Sequence, residues 1–182
     1  MGTPLGESKS AELCMEVGAA YRIAEKFSAG LSLGFLNSAP SSDTKASAFM
    51  ANISGAYRSG SLDAHLSLNN LGTPLKYGSS TVVLPIYLLG GAGYELADFA
   101  RAEAELAYVF CGQIMASAGI ELNYNKMAFL RAGYHFGGDK ALPSYLACGF
   151  GLQLVGIKLN ASYLLGSETL SGTMMFGLGY SF

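Results

Sequence analysis

His65 and His135 are the side chains of this 182-residue sequence best suited to moving protons near neutral pH. Either could act as general base to a serine hydroxyl, with Asp139 as the obvious orienting acid. The sequence has no Gly-x-Ser-x-Gly elbow to present such a serine, and Asp139 has no evident Ser–His arrangement with them. Catalysis is therefore not expected. The glycines at 90, 91 and 93 in "GGAGYEL" look superficially like a phosphate-cradling loop. No helix follows and the spacing is wrong, so they read as strand glycines. Cys14, Cys111 and Cys148 are odd in number and lack metal-ligand or Cys-x-x-Cys spacing. They read as small buried apolar residues, and no metal or other cofactor is implied.

The remaining chemistry lies in charges scattered singly along the chain. Charged residues make up only 13 % of it, roughly half the usual share, while apolar residues stand at 51 %. Small and polar residues, 24 glycines among them, replace the missing charge. Net charge is −2, from 11 Lys+Arg against 13 Asp+Glu, and no basic stripe argues for nucleic acid.

Strands must position these charges, because apolar residues alternate almost everywhere and helical spacing is nowhere sustained. "KFSAGLSLGF" sets Phe27, Ala29, Leu31, Leu33 and Phe35 against Lys26, Ser28, Gly30, Ser32 and Gly34. "FARAEAELAYVF" sets Leu106, Tyr108 and Phe110, with three alanines, against Arg101, Glu103 and Glu105. Those three charges would stand in a row about 7 Å apart on one strand face. Segments fall at 12–23, 26–36, 47–57, 61–70, 84–95, 99–110, 114–124, 127–136, 145–154, 157–165 and 173–182. The charge-free run 77–94 reads as loop plus strand, since Pro85 and its glycines oppose a membrane helix.

On this pattern Glu16, Arg22, Asp63, His65, Glu95, Arg101, Glu103, Glu105, Glu121, Arg131, His135 and Lys158 share the small, polar face of their strands. That face is too glycine-rich for a solvent surface and resembles the wall of a barrel interior. The mixed signs suit pairing across a lumen. Aromatics gather near strand ends in two groups, as a bilayer's interfaces favour. Hydrocarbon leaves no partner for an unpaired backbone group, so lipid-facing strands must close into a barrel. The fold expected is all-β, an antiparallel transmembrane up-and-down barrel in a bacterial outer membrane. A soluble lipocalin-like barrel with its apolar face inward is the alternative.

Connections near Glu25, Ser59-Gly60, Ala97-Asp98, Asn125 and Val155-Gly156 are tight. Those at 37–46, 70–83, 137–143 and 166–172 are longer; the joint at Cys111-Gly112-Gln113 is an exception. Such alternation is the habit of outer-membrane barrels, with short turns in the periplasm. It would put the N-terminal end of the first strand at the cell surface. An odd count of about eleven strands then points to about fourteen in all, with 1–11 a residual segment before a barrel domain over 12–182.

The order of "GAAYRIAEKFSAGLSLGFLNS", "LSLNNLGTPLKY", "LPIYLLGGAGYEL", "SAGIELNYNKMAFLRAGYHFGG" and the final "GFGLQLVGIKLNASYLLGSETLSGTMMFGLGYSF" resembles the PorV/PorQ family. That resemblance implies a barrel similar to FadL-type channels and a part in type IX protein secretion. Cargo or secretion components would then meet loops 37–46, 70–83, 137–143 and 166–172. The closing Phe176, Leu178, Tyr180 and Phe182 resemble the signal read by the barrel insertion machinery. A passive channel for small or hydrophobic solutes is the alternative function.

Overall fold

The computed structural model describes residues 11–41, 44–137, 143–166 and 172–180. Strands run β1 Ala11–Ala24, β2 Phe27–Ser41, β3 Thr44–Ser59, β4 Leu62–Gly72, β5 Leu75–Tyr77, β6 Ser80–Val82 and β7 Tyr87–Ala97. They continue as β8 Ala100–Val109, β9 Gln113–Tyr124, β10 Ala128–Phe136, β11 Tyr145–Leu154, β12 Ile157–Leu165 and β13 Met174–Tyr180. Eleven form one sheet in chain order, with β5 and β6 making a separate hairpin between β4 and β7. Pairing is antiparallel. Among the described residues no helix is long and apolar enough to cross a membrane, which says nothing of strands.

Turn chemistry explains the tight joints. Asn125 and Lys126 both adopt positive φ (52° and 56°) in a mirror-image turn closed by the Met127 N–H on the Tyr124 carbonyl at 2.9 Å, with Met127 between the paired Tyr124 and Ala128. Val155 (φ 48°) and Gly156 (φ 81°) also adopt positive φ between β11 and β12. At the exceptional joint, Gly112 takes φ 92° and its N–H reaches the Val109 carbonyl at 2.9 Å.

Two expected loops are largely strand. In 37–46, β2 runs on to Ser41 and β3 begins at Thr44. The polar side chains there pair instead of seeking water: Asn37 donates to Ser47 (2.9 Å) and Ser38 to Glu12 (3.0 Å). In 70–83, β4 continues to Gly72 and the β5–β6 hairpin fills much of the rest. Most of 137–143 and 166–172 lies outside the described residues, as do Asp139, Phe182 and all but the last position of the proposed 1–11 segment; that last position, Ala11, opens β1.

The chain divides into two compact units. One comprises Met1–Gly55 and Ser67–Tyr87. Its buried apolar cluster is small: Ala46 and Ala48 on β3 with Leu75 at the start of the hairpin, packed against Leu36, Tyr77 and Leu84. The other comprises Ala56–Leu66 and Leu88–Phe182. It buries Ala100, Ala107, Val109 and Leu164.

The large apolar residues are elsewhere. Among the described residues no large side chain is fully buried. On β13, Phe176, Leu178 and Tyr180 are 81 %, 80 % and 69 % exposed, and Leu130 on β10 is 60 % exposed. A lipocalin-like barrel would bury this set, and a soluble surface would not carry it across strand after strand. The apolar face is therefore the outer one. The cysteines correct an expectation: Cys14, Cys111 and Cys148 are all exposed. Cys148 shares the apolar face with Leu146 and Phe150, which are exposed like it.

Candidate functional site

The polar face of the second unit is a wall of cross-strand ion pairs. Arg101 on β8 gathers three carboxylates: Nη2 donates to Asp63 Oδ2 on β4 (2.6 Å), Nη1 to Glu95 Oε1 on β7 (3.0 Å), and Nε to Glu103 Oε1 (2.5 Å). Strand β7 lies between β4 and β8, so Arg101 crosses a whole strand to reach Asp63. Gly93 makes the crossing possible. A Cβ there would stand 2.7 Å from Arg101 Cζ and 3.0 Å from Asp63 Oδ1.

Two residues along β7, on the same face, the device recurs. His65 Nε2 on β4 approaches Glu105 Oε1 on β8 at 3.3 Å, and a Cβ on Gly91 would lie 2.6 Å from the imidazole and 2.8 Å from Glu105 Cγ. Further along the sheet, Arg131 on β10 donates through Nε to Glu121 on β9 (2.5 Å) and through Nη1 to Asn160 on β12 (2.9 Å). It crosses β11 at Gly151, where a Cβ would stand 3.1 Å from Nη1. Its guanidinium also lies 5.3 Å from the centroid of Phe129, an aromatic on the polar face that alternation did not single out.

The Ser117 hydroxyl and His135 Nδ1 are 2.9 Å apart, and the His135 ring stacks on Tyr145 at 4.9 Å between centroids. A serine beside an imidazole is the start of a nucleophile–base pair. The third member is missing among the described residues: the carboxylate registered opposite Ser117 is Glu105, which His65 already holds. His135 Nε2 is buried with no hydrogen-bond partner among the described residues. Among the described residues the arrangement positions an imidazole and completes no triad. Lys158 stands opposite Gln153 and Gly179, away from these clusters.

The first unit has its own polar set. The Ser32 hydroxyl on β2 donates to Glu16 on β1, and Asn52 on β3 donates to both Glu16 and Ser32 at 3.0 Å. Asn52 Oδ1 then accepts from the Asn70 N–H at 2.8 Å, and Asn70 Nδ2 donates to the Pro85 carbonyl at 2.9 Å. Asn70 adopts φ 61°, the left-handed conformation that asparagine tolerates. Glu16, Ser32 and Asn52 border a cavity of about 440 Å³. Arg22 stands opposite Ser28 at the end of β1.

Glu16 and the arginines are marked in the sequence by their charge, whereas Ser32, Asn52, Ser117 and Asn160 are not among the residues singled out there. These neutral partners carry no charge to mark them, and their role depends on which strands become neighbours. In the second unit the polar face forms an open cavity of about 490 Å³ bordered by Glu105, Ser117, Glu121, Arg131, His135 and Tyr145. Such a surface, with charged and hydroxyl side chains at its border, can admit and orient a small solute.

No family model and no curated protein matches the chain. Its backbone is similar to that of the toluene transporter TbuX of Ralstonia pickettii, with a TM-score of 0.64 at 14 % identity. The similarity covers 88 % of this chain and 64 % of that one, so the chain spans less than two thirds of the transporter's length. Membership of PorV/PorQ gains no support from these comparisons. What the likeness shows is the fold alone, an antiparallel β-barrel.

Proposed function

We propose that this protein lies in a bacterial outer membrane and passes small, largely hydrophobic solutes. The observation that carries the reading is the division of each strand into two faces. Bulky apolar side chains stand exposed on one, and paired charges, glycines and a cavity of about 490 Å³ occupy the other. A lipid-facing exterior and a polar interior are what a solute path across a membrane needs. The fold shared with a solved toluene transporter supports the same reading. Phe176, Leu178, Tyr180 and Phe182 supply the signal for the insertion machinery on this account. The secretion role that the PorV/PorQ resemblance implies remains the competing proposal, with segments 37–46, 70–83, 137–143 and 166–172 as the contact surface.

One comparison separates the two. The gene is deleted from its own bacterium, and uptake of radiolabelled toluene by intact cells is measured beside the inventory of surface-attached proteins. The channel reading predicts uptake several-fold slower, with surface proteins unchanged. Loss of surface proteins with unchanged uptake would replace it with the secretion reading.

A further inference from the structure

The register across β8 to β11 places Glu103, Gly119, Gly133 and Ala147 in one row on the polar face. Three of these four carry little or no side chain. The next row toward one end is Arg101, Glu121, Arg131 and Gly149, and the next toward the other is Glu105, Ser117, His135 and Tyr145. Each flanking row is two residues away along its strand, about 7 Å. A bare floor about 10 Å wide across Gly119, Gly133 and Ala147 therefore lies between two polar rims, within the cavity of about 490 Å³.

We propose that this floor binds a flat, uncharged ring bearing hydroxyl groups on its edge, a phenol or catechol. The assignment deepens the channel reading and rests on it for how the solute arrives. Flatness follows from the floor, where backbone lies open to one face of a ring while the stacked His135–Tyr145 pair walls one end. Neutrality follows from the charges. Arg101 and Arg131 are already met by Glu103 and Glu121, so among the described residues neither guanidinium of the rims is spare for a carboxylate. Hydroxyl donors follow from what is left over. Glu103, Glu105 and Glu121 each bind their partner through one oxygen, leaving acceptors that a ring O–H can satisfy and a hydrocarbon cannot. Toluene would desolvate those carboxylates without replacing their water.

The test uses purified protein in detergent, with saturation-transfer NMR and calorimetry on phenol, catechol, toluene, benzoate and cyclohexanol. Phenol and catechol are expected to bind about tenfold or more tighter than toluene, the cost of an unmet polar group. Benzoate and cyclohexanol are expected to bind weakly. Gly119 and Gly133 are poor places to probe, because a Cβ on each would press to 3.1 Å on the neighbouring strand's carbonyl. Ala147→Leu fills the same floor without that clash and should abolish phenol binding, while Leu165→Ala, on the other face, should leave it unchanged. Equal affinity for toluene and phenol, or phenol binding that survives Ala147→Leu, would overturn the proposal. Slow toluene uptake in the deletion strain would still stand in that event. Phenol binding with normal uptake would instead keep the site and remove the channel.

Discussion

Arg101 on β8 grips Asp63 on β4 across the full width of β7, and Gly93 is the gap through which it passes. The same guanidinium holds Glu95 and Glu103, so one cation ties three strands together on the polar face. A wall held this way needs its glycine as much as its charges.

Gly93→Ala should therefore mimic Asp63→Asn. Each is expected to cost about 1–3 kcal/mol, the usual worth of a charge-assisted hydrogen bond lost in a partly buried setting. The double variant should cost little more than either single one, because both break one contact. Urea titration of protein refolded into lipid vesicles measures all three. Additive losses would show that Gly93 acts on something other than the Arg101–Asp63 pair.

The exposed apolar face predicts a depth-dependent cost for charge. Ala132→Arg, in the middle of β10 and on its apolar face, should destabilise the protein in lipid by about 2–4 kcal/mol. Ser162→Arg, on the opposite face of β12, should cost much less. Comparable losses at the two sites would contradict the assignment of faces.

Val155 is a β-branched residue at φ 48° and 96 % exposed, so its strain has no packing to offset it. Asparagine suits that turn position. Val155→Asn should stabilise the protein by about 1 kcal/mol, read by the same titration. A loss of stability would mean that the turn has another conformation.

The β5–β6 hairpin is held by Leu75, which is buried against Ala46 and Ala48. Leu75→Ala should loosen it, at about 2–5 kcal/mol for a buried leucine. Hydrogen exchange should then quicken at 75–82 while β10–β12 keep their protection. Uniform acceleration across the sheet would show that the hairpin is part of the global fold and not a local cover.

Much of the fold is legible in the sequence because a strand's two-residue period writes its faces directly into residue order. Leu130, Tyr134 and Phe136 against Arg131 and His135 is a pattern that no helix would produce. The hairpin at 75–82 was not legible, since three-residue strands leave too short a period to notice. Strand continuation through Asn37 and Ser38 was hidden by turn-forming residue types, whose pairing with Ser47 and Glu12 depends on neighbours. The charged members of the site could be listed, but not who holds whom. Arg101 reaches Asp63 only because the hairpin leaves β4 and β7 adjacent, and Gly93 matters only once they are. The cysteines were misplaced for a related reason: rules for burial assume a protein interior, and here the apolar surface faces outward.

The central claim is that these strands cross an outer membrane, with the short turns at 125–126 and 155–156 on the periplasmic side. Cys111 is exposed at the opposite end of β9 from Asn125 and is a natural probe for it. One variant keeps Cys111 and replaces Cys14 and Cys148 with serine; the other replaces all three and carries Asn125→Cys. Intact cells of the native bacterium are treated with a membrane-impermeant maleimide, then lysed and treated again. The account predicts labelling of Cys111 before lysis and of position 125 only after it, with the protein in the outer-membrane fraction. Labelling of both positions only after lysis, with the protein in the soluble fraction, would contradict it.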